Sequence, residues 1–199
     1  MIVRCWGDDD PLMAEYHDLE WGTPVHDDRL LYQHLVLDGF QAGLSWRTIL
    51  HKREAFRQAF NGFNPEIVAR YGARERKRLL ADPGIVRNRQ KIEAAITNAQ
   101  AVLRLQDELS SFDQFLWQFT DGQTLRRRPV RDWRKLPTRS RESDAMSAAL
   151  KARGFKFVGS TICYALMQAV GMVDDHLLHC FRFQPRSSGT GAASARPRP

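Results

Sequence analysis

Two cysteines and two histidines stand in pairs at opposite ends of the chain: Cys5 and His17 near the start, His176 and Cys180 near the finish. On a helix, His176 and Cys180 would share one face and present an imidazole nitrogen and a thiolate sulfur to one ion. Two of each residue would complete a tetrahedral zinc site. Such a site would join the two ends and close nearly the whole chain into one loop. Spacing alone leaves a second reading open, in which these are four unrelated core or surface residues.

The chain has 199 residues and is 43% hydrophobic, long enough for one well-buried core. A single helical domain is expected over residues 1–184, followed by a tail. Three cysteines, and no charged-then-apolar leader in MIVRCWGDDD, argue against a secreted disulfide scaffold and for the reducing cytoplasm. No apolar run approaches the roughly 20 residues needed to span a bilayer. The longest candidate, STICYALMQAVGMV, carries Gln168 and Gly171. The expectation is a soluble chain with no membrane partner.

Net charge is +7, the electrostatic footprint of a polyanion binder. Residues 185–199 (PRSSGTGAASARPRP) hold three arginines and no acid, which leaves the body at +4. That value is compatible with nucleic acid and does not prove it. The tail composition predicts disorder.

Apolar spacing reads as helix almost throughout. Leu31, Leu35, Ile49, Phe56 and Phe60 predict two consecutive helices with a break near Gly39 or Gly43. Ile92, Ala95, Ile96, Ala99, Val102 and Leu103 predict another. Phe112, Phe115, Leu116 and Phe119 mark a further helix ended by Gly122, and Ser143 is the expected N-cap of SDAMSAALKAR with Gly154 as its terminator. No βαβ alternation and no strand hairpin is evident, so the fold class is all-α. Residues 126–141 (RRRPVRDWRKLPTRSR) contain eight basic residues against one acid, with Pro129 and Pro137 excluding a continuous helix. They read as an exposed basic loop, either a solvated charge run or a phosphate contact.

In KARGFKFVGSTICYALMQAVG a helix ending at Gly154 is followed by a turn, Phe155 to Gly159, and an apolar helix from Ser160 or Thr161. Unpaired N–H groups at the start of that second helix, with Lys156 beside them, suit a phosphodiester held without reading sequence. An ordinary αα-corner would carry the same glycines. Arg87, Arg89 and Lys91 precede another helix start as a possible second phosphate contact.

Four blocks, CWGDDDPLMAEYHDLEWGTP, DGFQAGLSWRTILHKRE, GIVRNRQKI and RGFKFVGSTICYALMQAVGMVDDH, resemble in order the bacterial 3-methyladenine DNA glycosylase I family. The basic loop and the tail lie outside the resemblance. It implies an all-α helix-hairpin-helix DNA glycosylase fold that removes 3-methyladenine as a monofunctional enzyme on double-stranded DNA with alkylated bases; a monomer is the simplest expectation, with the oligomeric state open. It also implies one zinc ion held by Cys5, His17, His176 and Cys180. Four protein ligands leave no vacancy for water, so that zinc is structural.

The resemblance further implies pocket walls formed by Trp46 and Tyr16, with Trp6 and Trp21 as secondary candidates and core packing the preferred role for Trp21. A methylated, cationic base over such faces gains about 0.5–2 kcal/mol. The candidate catalytic carboxylates are Asp38 and Asp174. Asp38 stands where the family usually has a base-binding Glu, and its side chain is one methylene shorter. Asp174 stands where many helix-hairpin-helix glycosylases carry a catalytic aspartate and this family carries Asn; capping a helix that bears His176 is the alternative. DNA-backbone contacts are expected from Lys156, Gly159, Ser160 and Thr161. Competing functions are a non-catalytic zinc-stapled lesion binder and a glycosylase of altered substrate range. No lysine is placed as a Schiff-base nucleophile.

Overall fold

Asp27 and Asp28 begin the helix around which the others pack. Asp27 caps it by accepting from the Leu30 N–H at 2.8 Å. Asp28 reaches away and accepts from Gln106 Nε2, Ser111 Oγ and the backbone N–H groups of Phe112 and Asp113. Burial alone would raise the Asp28 carboxyl, but those four donors hold it below its ordinary value. One acid thus joins three helices.

The computed structural model describes residues 2–128 and 130–185. Ten α-helices follow in order among them: α1 Pro11–Leu19, α2 Asp28–Gln41, α3 Trp46–His51, α4 Arg53–Ala59, α5 Pro65–Val68, α6 Ala73–Ala81, α7 Arg89–Leu109, α8 Phe112–Trp117, α9 Arg141–Ala152 and α10 Ser160–Ala169. The expected disorder of residues 185–199 falls, apart from Pro185, outside the described residues, as does Pro129 of the basic loop. The sheet is minimal. β1 Leu125–Arg126 and β2 Val173–Asp174 pair in parallel, Leu125 against Val173.

In α2, every residue from Leu31 to Phe40 is buried, so this helix is the centre of the core. The stretch expected to give two helices gives three, because the chain breaks at residues 42–45, around Gly43 at φ +77°, and again at Lys52. In α7 the buried face is Ile92, Ala95, Ile96, Ala99 and Val102, continued by Leu105 rather than the expected Leu103.

α9 begins one turn earlier than expected. Its N-cap is Ser140, and Ser143 closes the cap reciprocally: Ser143 N donates to Ser140 Oγ at 3.2 Å and Ser140 N donates to Ser143 Oγ at 2.8 Å. The helix ends as expected, with Gly154 at φ +84°.

The C-terminal pair differs more. Residues 176–180 form no helix; His176 lies in the irregular stretch after β2 and Cys180 in a bend that follows the turn at residues 178–179. A spacing of four is compatible with a helix without requiring one, and here β2 and the contacts of the two ends set the backbone instead. Leu177 N donates to Cys5 Sγ at 3.2 Å, and Phe181 N donates to Val3 O at 2.9 Å.

Candidate active site

Three buried acceptors and donors fix the turn between α9 and α10. Asn98 of α7 bonds Lys156 twice, accepting from its N–H at 2.8 Å and donating to its C=O at 3.0 Å. Ser147 Oγ donates to Val158 O at 2.6 Å. Phe157 is held at φ +54°, a left-handed conformation that a non-glycine residue adopts only when its surroundings enforce it. Gly159 is the N-cap of α10, and the space a side chain would fill there is open. No side chain caps the start of α10, whose first-turn amides have no partner within the helix, and Lys156 and Thr161 are exposed beside them.

The other expected cationic cluster divides. Arg87 and Arg89 are exposed, but Lys91 is 8% exposed and donates from Nζ to Phe40 O at 2.8 Å and Ala42 O at 2.6 Å. Lys91 does not meet phosphate. It caps the C-terminus of α2, where a cation complements the helix dipole, and so anchors the helix that bears Asp38.

α1, α2, α3 and α10 enclose a cavity of about 690 Å³, within the range of ligand pockets. Trp6, Tyr16, Trp21 and Trp46 all line it. The Tyr16 and Trp46 rings lie 5.1 Å apart, and Trp6 meets Trp21 edge-on at 5.3 Å. Trp21, expected in the core, is a wall of this cavity and also packs edge-on against His176 at 4.7 Å. Ser45 caps α3 and accepts from Thr48 N, which turns Trp46 toward α2.

Asp38 also lines the cavity, is 3% exposed, and its Oδ2 has no hydrogen-bond partner. Burial pushes its carboxyl well above the ordinary value. Trp46 Nε1 is likewise buried and unpartnered. An acid and an indole N–H are thus left unsatisfied at one aromatic cavity, where buried polar groups are ordinarily paired.

Asp174 does not border this cavity. Its Oδ1 accepts from His176 N at 3.2 Å and lies 2.8 Å from His176 Nδ1, so it orders the segment after β2 and caps no helix. Its neighbour Asp175 lines the cavity with Asp38; its Oδ2 accepts from Tyr164 OH at 2.6 Å and Gln168 Nε2 at 2.9 Å while Oδ1 has no partner. Sequence reading missed Asp175, although it adjoins the residue chosen. It missed Tyr164 and Gln168 as well, which lie one turn apart on α10.

At the chain ends, the ligand atoms of Cys5, His17 and Cys180 lie within 4.8 Å of one another, a group able to hold a metal ion. His176 stands beside them, its ring 5.4 Å from that of His17, with Nε2 buried and unpartnered. Each histidine has a carboxylate on Nδ1: Asp18 at 2.8 Å from His17 and Asp174 at 2.8 Å from His176. That arrangement orients imidazole ligands in metal sites.

Fold and site together define a helical protein with an aromatic, half-open cavity beside the turn between α9 and α10. The methyladenine glycosylase family model matches residues 6–183. DNA-3-methyladenine glycosylase 1 of Escherichia coli (strain K12) is 46% identical over 180 residues, covering 90% of this chain and 96% of that protein. A crystal structure of 3-methyladenine DNA glycosylase I matches with a TM-score of 0.89 at 47% identity, covering 92% of this chain and 100% of that one. A tyrosine-to-phenylalanine variant of such an enzyme, in complex with 3-methyladenine, matches with a TM-score of 0.84 at 37% identity over 87% of this chain and 93% of its own. The chain belongs to the methyladenine glycosylase family.

Proposed function

We propose that this chain is a DNA glycosylase that hydrolyses the N-glycosidic bond of 3-methyladenine in alkylated DNA. The observation that carries the reading is the pair of unsatisfied buried groups, Asp38 Oδ2 and Trp46 Nε1, at an aromatic cavity of about 690 Å³.

A base inside a duplex is out of reach, so the nucleotide must be extruded, at about a few kcal/mol. Methylation at N3 makes the adenine cationic and weakens its bond to the sugar. Tyr16 and Trp46 offer π faces to that cation, and Asp38 accepts a hydrogen bond from it. The glycosidic C–N bond breaks with its electron pair leaving on the base. Water supplies oxygen to the sugar carbon and releases a proton. Asp175, held by Tyr164 and Gln168, is the acid best suited to steady the sugar cation or orient that water. Asp174 serves instead as a positioning residue for His176.

The turn from Phe155 to Gly159 with α9 and α10 serves as the helix-hairpin-helix that holds the backbone of double-stranded DNA, through the amides of Gly159, Ser160 and Thr161 and the Lys156 ammonium. Cys5, His17, His176 and Cys180 would hold one zinc ion. Two thiolates, two carboxylate-oriented imidazoles and the orphaned His176 Nε2 fit that ion. With four protein ligands its contribution would be cohesion of the chain ends. The protein acts as a monomer in this reading.

The test is incubation with methylated DNA and chromatography of the released bases. Release of 3-methyladenine is expected; DNA binding with no base released would instead favour the lesion-binding module.

A further inference from the structure

The basic stretch between β1 and α9 lies outside the blocks that resemble the family, yet it is built into the mouth of the cavity. It is tied at both ends, by the β1–β2 pairing and by the buried cap of α9, and in the middle by Leu178 N donating to Val130 O at 2.9 Å. Within it Asp132 caps a single 3₁₀ turn, Trp133–Lys135, accepting from Arg134 N at 3.0 Å and from Arg134 Nε at 3.1 Å. Trp133 and Arg134 are therefore presented side by side.

Both line the cavity, and so does Thr161 at the start of α10. Trp133 is nevertheless 65% exposed. An indole that borders a pocket while leaving most of its surface in solvent has no packing reason for its position. Arg131, Lys135 and Arg139 are exposed around it, so the rim is strongly cationic. The phosphate-gripping amides and this rim meet at one opening.

We propose that Trp133 and Arg134 form the rim through which the damaged nucleotide enters. Arg134 pairs with a DNA phosphate next to the extruded nucleotide, and Trp133 packs against that nucleotide's deoxyribose. The occupant is DNA because the charge is complementary to phosphate and the surface is continuous with the cavity. The proposal deepens the glycosylase reading and rests on it, but release of 3-methyladenine by the parent chain tests that reading separately.

The experiment uses Arg134→Ala, Trp133→Ala and the conservative Trp133→Phe in the full chain. Affinities are measured for an intact duplex, for the same duplex with a tetrahydrofuran abasic site, and for free 3-methyladenine. Arg134→Ala is expected to weaken both duplexes and to flatten the log-log salt slope by about 0.9. Trp133→Ala is expected to lose about tenfold in affinity for the abasic duplex relative to the intact one, with partial rescue by Phe. Free-base affinity stays at the parent value in all three. Parent-like duplex affinities for either alanine variant remove that residue from the rim, and a loss of free-base affinity moves it into the pocket interior; either result overturns the assignment.

Discussion

His176 Nδ1 lies 2.8 Å from Asp174 Oδ1, and the same oxygen accepts the backbone N–H of His176 at 3.2 Å. The carboxylate thereby fixes the ring, whose centre lies 5.4 Å from that of His17. Asp174→Ala is expected to lower zinc affinity by about 10–100-fold, read as metal content after dialysis. Asp174→Asn keeps an acceptor and should release 3-methyladenine at close to the parent rate. Loss of release in a folded, zinc-loaded Asn variant would show Asp174 to be catalytic. Removing the metal with a chelator should lower the melting temperature and the activity together. Full excision by a stably folded metal-free chain would falsify the structural role.

Asp38 gives a prediction of opposite sign for stability and binding. Its folded-state pKa is raised above the ordinary 3.8 by burial. Above that ordinary value the unfolded chain releases the proton while the folded chain keeps it, so stability falls as pH rises. Asp38→Asn removes this slope and is expected to melt higher at neutral pH. It should also bind 3-methyladenine more weakly in calorimetry, and equal binding would take Asp38 out of base recognition.

His34, one turn before Asp38 on α2, is buried with Nδ1 unpartnered. Burial lowers its pKa from 6.5 to about 4; Glu20 opposes that shift while Arg53 and Arg57 add to it. In the unfolded chain the ring protonates first as pH falls. Its contribution is therefore complete above 6.5 and is lost progressively down to about 4. The loss is on the order of 3 kcal/mol. Urea denaturation across this range should show a slope one proton shallower for His34→Gln; an unchanged slope would assign the acid sensitivity elsewhere.

Asn98→Ala strips both partners from Lys156. The turn that aims α10 then carries two unsatisfied backbone groups, at an expected cost of about 1–3 kcal/mol in unfolding free energy. Duplex affinity should fall with it, while affinity for the free base, which does not touch this turn, should hold. A parallel loss of free-base binding would show that the turn shapes the pocket itself.

Features with local causes were legible in the sequence. Gly154, the turn to Gly159 and the start of α10 at Ser160 depend on backbone preferences within a few residues, and they fall where the glycines indicate. The apolar stripe of α7 was equally plain. Ser140 and Ser143 cap one another, so composition could not rank them.

Long-range partners were not legible. Lys91 reads as a surface cation beside Arg87 and Arg89, yet its ammonium meets carbonyls 49 and 51 residues earlier in the chain. The basic loop reads as a solvated run or a phosphate contact because its charge dominates its composition, while Trp133 and Arg134 border the cavity through folding alone. Asp174 and Asp175 are chemically identical in a string of letters. Only the alternation of side chains after β2 turns one toward His176 and the other toward the cavity.

The contact between Leu177 N and Cys5 Sγ joins residues 172 apart in sequence. The pocket is thus closed from both ends of the described fold, by Trp6, Tyr16 and Trp21 from one and by Asp175 and Leu177 from the other, so neither end can shift without reshaping the space between them.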